Sequence, residues 1–249
     1  MSEVATGDQR RWWSKALMVG AVIGIITLPL AALGTRFGIW PFTAGFLLLA
    51  VGVVLCTIVF FLGIIGAIYA HTRGWTADRR SILIGVAISV VVLGLMGNQF
   101  IMATSVPGIH NISTDIDNPP DFDKIVAERE AEQANPLEYD ASVLGDQQRQ
   151  AYPWVKSYIS PVPPAQMIAK VVGVLEGMGL EVVSADTVAG RVEATDTTFW
   201  FGFKDDVVVR IRDEAGGSVV DIRSVSRVGQ SDLGKNAARI GEILNALAE

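Results

Sequence analysis

Residues 41–70 read PFTAGFLLLAVGVVLCTIVFFLGIIGAIYA, thirty positions without one Asp, Glu, Lys, Arg or His. Such a run is too uniformly apolar for a helix with one watered face, and it is long enough to cross the roughly 30 Å hydrocarbon layer of a bilayer. Two further stretches, Ala16–Gly34 and Ser81–Met102, flank it and are equally free of ionisable side chains. A charged tail, residues 103–249, follows. The expected fold class is α+β: three transmembrane α-helices, then a two-layer domain with an antiparallel sheet and two helices on one face. The spans lack the buried charges that mark ion paths, proton relays and substrate sites, which argues against a transporter.

The net charge of −6 hides two opposite halves. Through Met102 there are seven basic and three acidic residues, and beyond it thirteen basic and twenty-three acidic ones. Arg10, Arg11 and Lys15 precede the first span, Arg73, Arg79 and Arg80 lie between the second and third, and only Arg36 lies between the first and second. This asymmetry predicts a cytoplasmic N-terminal segment, 1–15, a transmembrane region, 16–102, and a tail on the far side, the periplasm of a bacterial inner membrane. The pairs Gly20/Gly24, Gly63/Ala67 and Gly85/Ser89 let helices approach closely, within one chain or between copies. Cys56 is the sole cysteine and lies mid-span, so the tail must be held by packing and not by a disulfide.

Residues 103–150 are polar and broken by Asn118-Pro119-Pro120 and Asn135-Pro136. They are expected to form an extended arm with a short acidic helix between Asp121 and Asn135. Residues 151–249 are expected to form the α+β domain. Tyr152–Val162 reads as a strand, and Pro163-Pro164 opens a helix whose Ile168, Val171, Val172, Leu175 and Met178 share a face. Four strand-like runs follow, 180–185, 190–198, 205–213 and 218–228. In the third, Val207, Val209 and Ile211 alternate with Val208, Arg210 and Arg212, which predicts a sheet covered on one side. A last helix, opened by Ser231 or Asp232, carries Leu233, Ala237, Ile240, Leu244 and Leu247 as one stripe.

Three blocks of this tail resemble a known family. They are His110-x-Ile112-Ser113-Thr114-Asp115 with Asn118-Pro119-Pro120-x-Phe122, then Phe201-Gly202-Phe203-Lys204-Asp205-Asp206-Val207, then Ser226-Arg227-Val228-Gly229-x-Ser231-Asp232-Leu233-Gly234-x-Asn236-Ala237-x-Arg239-Ile240. In this order they resemble the domain of unknown function 1499 family, DUF1499, over most of 107–249. The resemblance implies a domain boundary and a bacterial envelope setting behind membrane helices. It implies no activity, substrate or catalytic residue.

His110 and Asp115, with Asp117, Asp121 and Asp123 nearby, are weak metal-ligand candidates, because their spacing lacks the Gly and Glu of a calcium loop. A hydrolase would have to use His110, the tail's only histidine, and no Gly-x-Ser-x-Gly elbow is present. There is no phosphate loop, and an acidic tail is a poor footprint for nucleic acid. No cofactor is expected. Trp200, Phe203 and Lys204 belong to an aromatic run, 199–203, suited to core closure, a ligand groove or a hairpin tip on the bilayer surface. Arg223, Arg227, Lys235 and Arg239 form a basic cluster beside a helix start, which suits either an anion or ion pairs with Asp205, Asp206, Asp221 and Asp232. The function expected is a non-enzymatic envelope module that binds a lipid, an anionic ligand or a protein partner. A membrane-bound hydrolase or metal-dependent enzyme using His110, and a structural homo-oligomer, are the alternatives.

Overall fold

The computed structural model describes residues 10–214 and 216–249. They divide into two compact units, one of residues up to 101 with 200–202, the other of 102–199 with 203–249.

In the first unit, α1 (Trp12–Arg36), α2 (Phe42–Thr72) and α3 (Thr76–Ser105) are each long and apolar enough to cross a membrane. In hydrocarbon every backbone donor needs an internal partner, and a continuous helix supplies it. Close approach of α1 and α2 depends on missing side chains. Gly24 faces Cys56 and the Gly52 carbonyl, while Gly52 faces Thr27 and the Gly24 carbonyl. Thr27 Oγ1 returns a 2.7 Å hydrogen bond to Gly24 O, so its hydroxyl is satisfied inside its own helix. A Cβ added at Gly63 would meet Val86 of α3, and one added at Gly85 would lie 3.5 Å from the Leu17 carbonyl and the Met18 Cα of α1. The small residues read as packing faces therefore serve contacts within the chain.

Asp78, in the first turn of α3, is fully buried. It accepts from the Arg11 amide at 2.8 Å and Ser14 Oγ at 2.5 Å, and it pairs with the Arg11 guanidinium, which stacks 3.2 Å over Trp75. A carboxylate at a helix start also meets the positive end of the helix dipole.

The second unit holds one antiparallel sheet. Its strands are β1 (Asn111–Ser113), β2 (Tyr158–Ser160), β3 (Glu181–Asp186), β4 (Arg191–Thr197), β5 (Lys204–Glu214) and β6 (Gly217–Ser226). The order is β1-β6-β5-β4-β3, with β2 also on β6. β1 and β2 take opposite ends of one edge, Asn111 opposite Val225 and Ser160 opposite Ser218. Four helices complete the unit: α4 (Ile125–Ala131), α5 (Ala141–Ala151), α6 (Pro164–Gly177) and α7 (Lys235–Ala248).

One sheet face carries Val192, Ala194, Val207, Val209, Ile211, Val220 and Ile222. It is closed by Met167, Ile168, Val171 and Leu175 of α6 and by Ile240, Ile243 and Leu247 of α7. Each such side chain, fully buried, contributes about 1.5–3 kcal/mol. The α+β class and the two helices on one face follow from this periodicity.

The other face is covered as well, which corrects the reading of a one-sided sheet: all ten residues of β6 are buried. Phe122 and Ile125 pack on Val208 and Val225, and Glu193 of β4 reaches up to cap α4. Its two carboxylate oxygens accept from the amides of Asp123 at 2.6 Å and Ile125 at 2.9 Å. Segment 103–150 thus supplies a strand and two helices. The acidic helix shrinks to seven residues, and the strand read over 152–162 shrinks to Tyr158–Ser160. α7 begins at Lys235, three residues after Asp232, because Asp232 caps it through a turn. Its oxygens accept from Gly234 N at 2.8 Å and Asn236 N at 2.6 Å, and Gly234 takes φ 81°. A side chain is strained there, which is why glycine occupies the position.

Candidate functional site

Three of the four basic residues read as an anion cluster are buried and turned to different internal partners. Arg227 is 2% exposed; Nε and Nη2 donate to the two oxygens of Asp206 at 2.9 and 2.8 Å, and Nη1 reaches Glu128 and Glu132. Burial works against its charge, but these hydrogen bonds outweigh it and hold the guanidinium more firmly protonated than usual. Asp206 also accepts from Arg129 Nη1 and from Thr195 Oγ1 at 2.7 Å. On the opposite sheet face Arg239 donates to Asp196 and Asp205, and to Ser224 and Asn236. Among the described residues Arg223 has no carboxylate within ion-pair distance. Its donors go to Asn111 Oδ1 at 3.0 Å, the Pro120 carbonyl at 3.1 Å and the Leu137 carbonyl. Burial pulls it down to about 10, so it remains charged at neutral pH.

Lys204 bridges Glu128 and Glu132 at 3.1 and 2.7 Å. Lys235 is exposed at the start of α7. Trp200 is 57% exposed at the turn between β4 and β5, and Phe203 is half-buried there. His110 Nδ1 lies 3.4 Å from the Gln230 carbonyl, whereas Asp115 pairs with Arg210, so the two do not converge. Among the described residues no three His, Cys, Asp or Glu gather in metal-binding geometry.

The arm makes the stability of this unit sensitive to acid. Glu128 is held below the ordinary glutamate range by the hydrogen bond from Arg227 and then that from Lys204. For Glu132 burial opposes ionisation, but hydrogen bonds from Lys204 and Arg227 prevail. Both folded values lie below the unfolded one of about 4.3. Their contribution is therefore complete above that pH and is lost as pH falls through the folded values. We expect the urea midpoint to hold from pH 7 to about 5 and to fall below about 4, and Glu128→Gln/Glu132→Gln to flatten that acid limb. An unchanged acid limb in the double variant would refute this assignment.

A cleft that the sequence reading missed lies between the end of β1, the C-terminal turn of α5 and the segment leading into β2. It encloses about 210 Å³ and is lined by Thr114, Ile116, Gln148, Arg149, Tyr152, Pro153, Val155 and Lys156. Gln148, 2% exposed, forms its floor. Its amide imitates a neighbouring strand, Nε2 donating to Ser113 O at 2.6 Å and Oε1 accepting from Ser113 N at 3.0 Å. Thr114 Oγ1 accepts from Ile222 N at 2.8 Å. Arg149 and Lys156 stand exposed at the rim, and among the described residues no carboxylate lines the cleft. Among the described residues the carboxylate that Arg149 pairs with is Asp146, 3.6 Å away and 91% exposed, a weak surface pair. Burial and the Asp232 charge push the Tyr152 phenol up, which keeps it a proton donor at neutral pH. The signal available in the sequence was Asp140, which caps α5 by accepting from Ser142 N at 2.9 Å.

The family description "Protein of unknown function (DUF1499)" matches residues 111–247. The chain belongs to the DUF1499 family. The matched segment contains the cleft and both buried arginine networks and leaves out α1–α3, so the DUF1499 portion corresponds to the sheet-bearing unit. Among curated proteins no sequence matches this DUF1499 chain. A crystal structure of Ara h 8.0201 is similar at 12% identity, covering 37% of this chain and 95% of that one, with a TM-score of 0.26.

Proposed function

We propose that this DUF1499 protein is a non-enzymatic, membrane-anchored binding module of the bacterial inner membrane that takes a small anion into the Arg149/Lys156 cleft. The single observation behind this reading is a pocket whose cations face it without carboxylates, whereas the other arginines of the sheet are occupied internally. Its volume corresponds to about seven waters, the size of a phosphate or carboxylate bearing a short organic group. Ile116, Pro153 and Val155 offer apolar walls to such a group, and Tyr152 a neutral donor. The distribution of basic residues, six against one, supports a cytoplasmic N-terminus and a periplasmic domain. Exposed Phe199 and Trp200 support a domain working at a lipid surface, or against a protein partner there.

Calorimetric titration of the full chain in mild detergent with glycerol 3-phosphate tests this reading. We expect saturable binding, weakened about tenfold or more in Arg149→Gln/Lys156→Gln, since each charge-assisted hydrogen bond contributes about 1.5–3 kcal/mol. No heat at millimolar ligand, or equal affinity in the double variant, would sink it. A reporter fused after Glu249 that is active only in the cytoplasm would overturn the orientation.

A further inference from the structure

A second cationic recess lies in the first unit, on the flank of α3. It is a shallow, open recess of about 500 Å³ lined by Thr76, Arg79, Arg80, Leu83, Ile84 and Ala87. The order along the helix follows the cross-section of a leaflet. Arg79 and Arg80 stand at the N-terminal end, Leu83 and Ile84 lie one turn deeper, and Ala87 leaves a gap two turns down, about 10 Å from Arg80 along the axis. Leu83 and Ile84 are 49% and 41% exposed, as expected of side chains that face lipid.

The charge here is not neutralised by the protein. Asp78 is the one acidic residue among the described residues up to Ile101, and it is fully buried and engaged by Arg11 and Ser14. Arg79 Nη1 lies 2.8 Å from His71 Nδ1. A guanidinium can only donate, so His71 accepts at that nitrogen and brings no negative charge. Arg80 has no carboxylate within ion-pair distance among the described residues. Arg73 of the preceding turn stacks on Tyr69 at 5.3 Å and adds further positive potential. Two cations over an apolar trough match a headgroup phosphate above an acyl chain. Adjacent basic residues at the end of a span favour anionic over zwitterionic lipid.

We propose that the recess of Arg79, Arg80, Leu83, Ile84 and Ala87 is a binding site for an anionic phospholipid, its phosphate on the two arginines and an acyl chain along the α3 trough. The site rests on α1–α3 crossing a bilayer and is independent of the anion cleft. Ala87 is a determinant because a larger side chain would fill the trough while leaving both charges in place.

The test reconstitutes the full chain in nanodiscs of equimolar phosphatidylglycerol and phosphatidylcholine with identical chains, then counts retained lipid by native mass spectrometry. Wild type is expected to retain phosphatidylglycerol in roughly fivefold excess. Arg79→Gln/Arg80→Gln should bring the ratio close to one, Ala87→Leu should lower it with the charge intact, and Lys15→Gln, outside the recess, should leave it alone. Equal retention of both lipids by wild type, an excess that survives the double variant, or an equal loss in Lys15→Gln would overturn the site. A chain that stays out of the nanodisc altogether would refute the membrane-crossing reading instead. Inorganic phosphate added at millimolar concentration should not displace the lipid; displacement would mean that the arginines hold phosphate alone, and would overturn the proposal.

Discussion

Replacing Asp206 by Ala should cost the sheet-bearing unit about 3–5 kcal/mol. Asp206 is fully buried and carries Arg129, Arg227 and Thr195. Both arginines are 3% exposed at the side chain, so neither can turn to water when the carboxylate is gone. The loss comes chiefly from Arg129, stranded without its carboxylate, and from Arg227, left with only Glu128 and Glu132, and only partly from the pair energy itself. Against a domain stability of about 5–15 kcal/mol it is a large fraction. With a urea slope of about 1–3 kcal/mol/M, the midpoint measured by pulse proteolysis of the full chain should fall by about 2 M. A fall under about 0.3 M would refute the account. The cause is separable. Arg129→Met/Asp206→Leu/Arg227→Met removes all three charges and should be less harmful than Asp206→Ala alone, because no cation is then left buried without a carboxylate, while Glu128 and Glu132 keep Lys204.

The second large effect is expected in the membrane region. Gly52→Leu would drive a side chain into Thr27 and would place its Cβ 3.1 Å from the Gly24 carbonyl. One obstacle is a short buried side chain and the other is backbone, so neither yields easily. Overpacking of this kind costs about 1–3 kcal/mol and should loosen α1 from α2. Cys56 reports on it directly: the thiol is fully buried at Gly24 and is the chain's one cysteine. Maleimide labelling in detergent micelles should speed up about tenfold in Gly52→Leu. Gly97→Leu, where an added Cβ meets nothing within 4 Å, should label like wild type. Equal labelling of all three proteins would disprove the close-packed pair.

The elements legible in the sequence are those whose own pattern determines them. Three uncharged runs became α1–α3, and the alternation of Val207, Val209 and Ile211 became β5. The stripes of α6 and α7 came from the 3.6-residue period, and the DUF1499 blocks marked the unit that holds them. What could not be read depends on partners far away in sequence. Asn111–Ser113 has no alternation to display, and it is a strand only because β6 offers an edge. Gln148 and Glu193 are common surface residue types that here replace a strand neighbour and cap a helix. The signs of Arg223, Arg227 and Arg239 were visible, but their partners follow from register. Lys204 sits opposite Thr197 and Asp206 opposite Val225, which brings Arg227 beside Asp206, and no local pattern contains that. The cleft escaped for the same reason, since its lining comes from three segments with no shared motif.

The position of β6 also sets a timetable for synthesis. It is the strand that β1, β2 and β5 all require, and the bond between Thr114 Oγ1 and Ile222 N joins positions 108 apart. At about 5–20 residues per second, β1 emerges from the ribosome roughly 5–20 seconds before its partner does. During that interval the nascent arm has no sheet to join, and loop closure over such a distance makes the final step slow. The domain therefore matures in one late event, after α1–α3 have been made, and its early segments spend that waiting time open to chaperones and proteases.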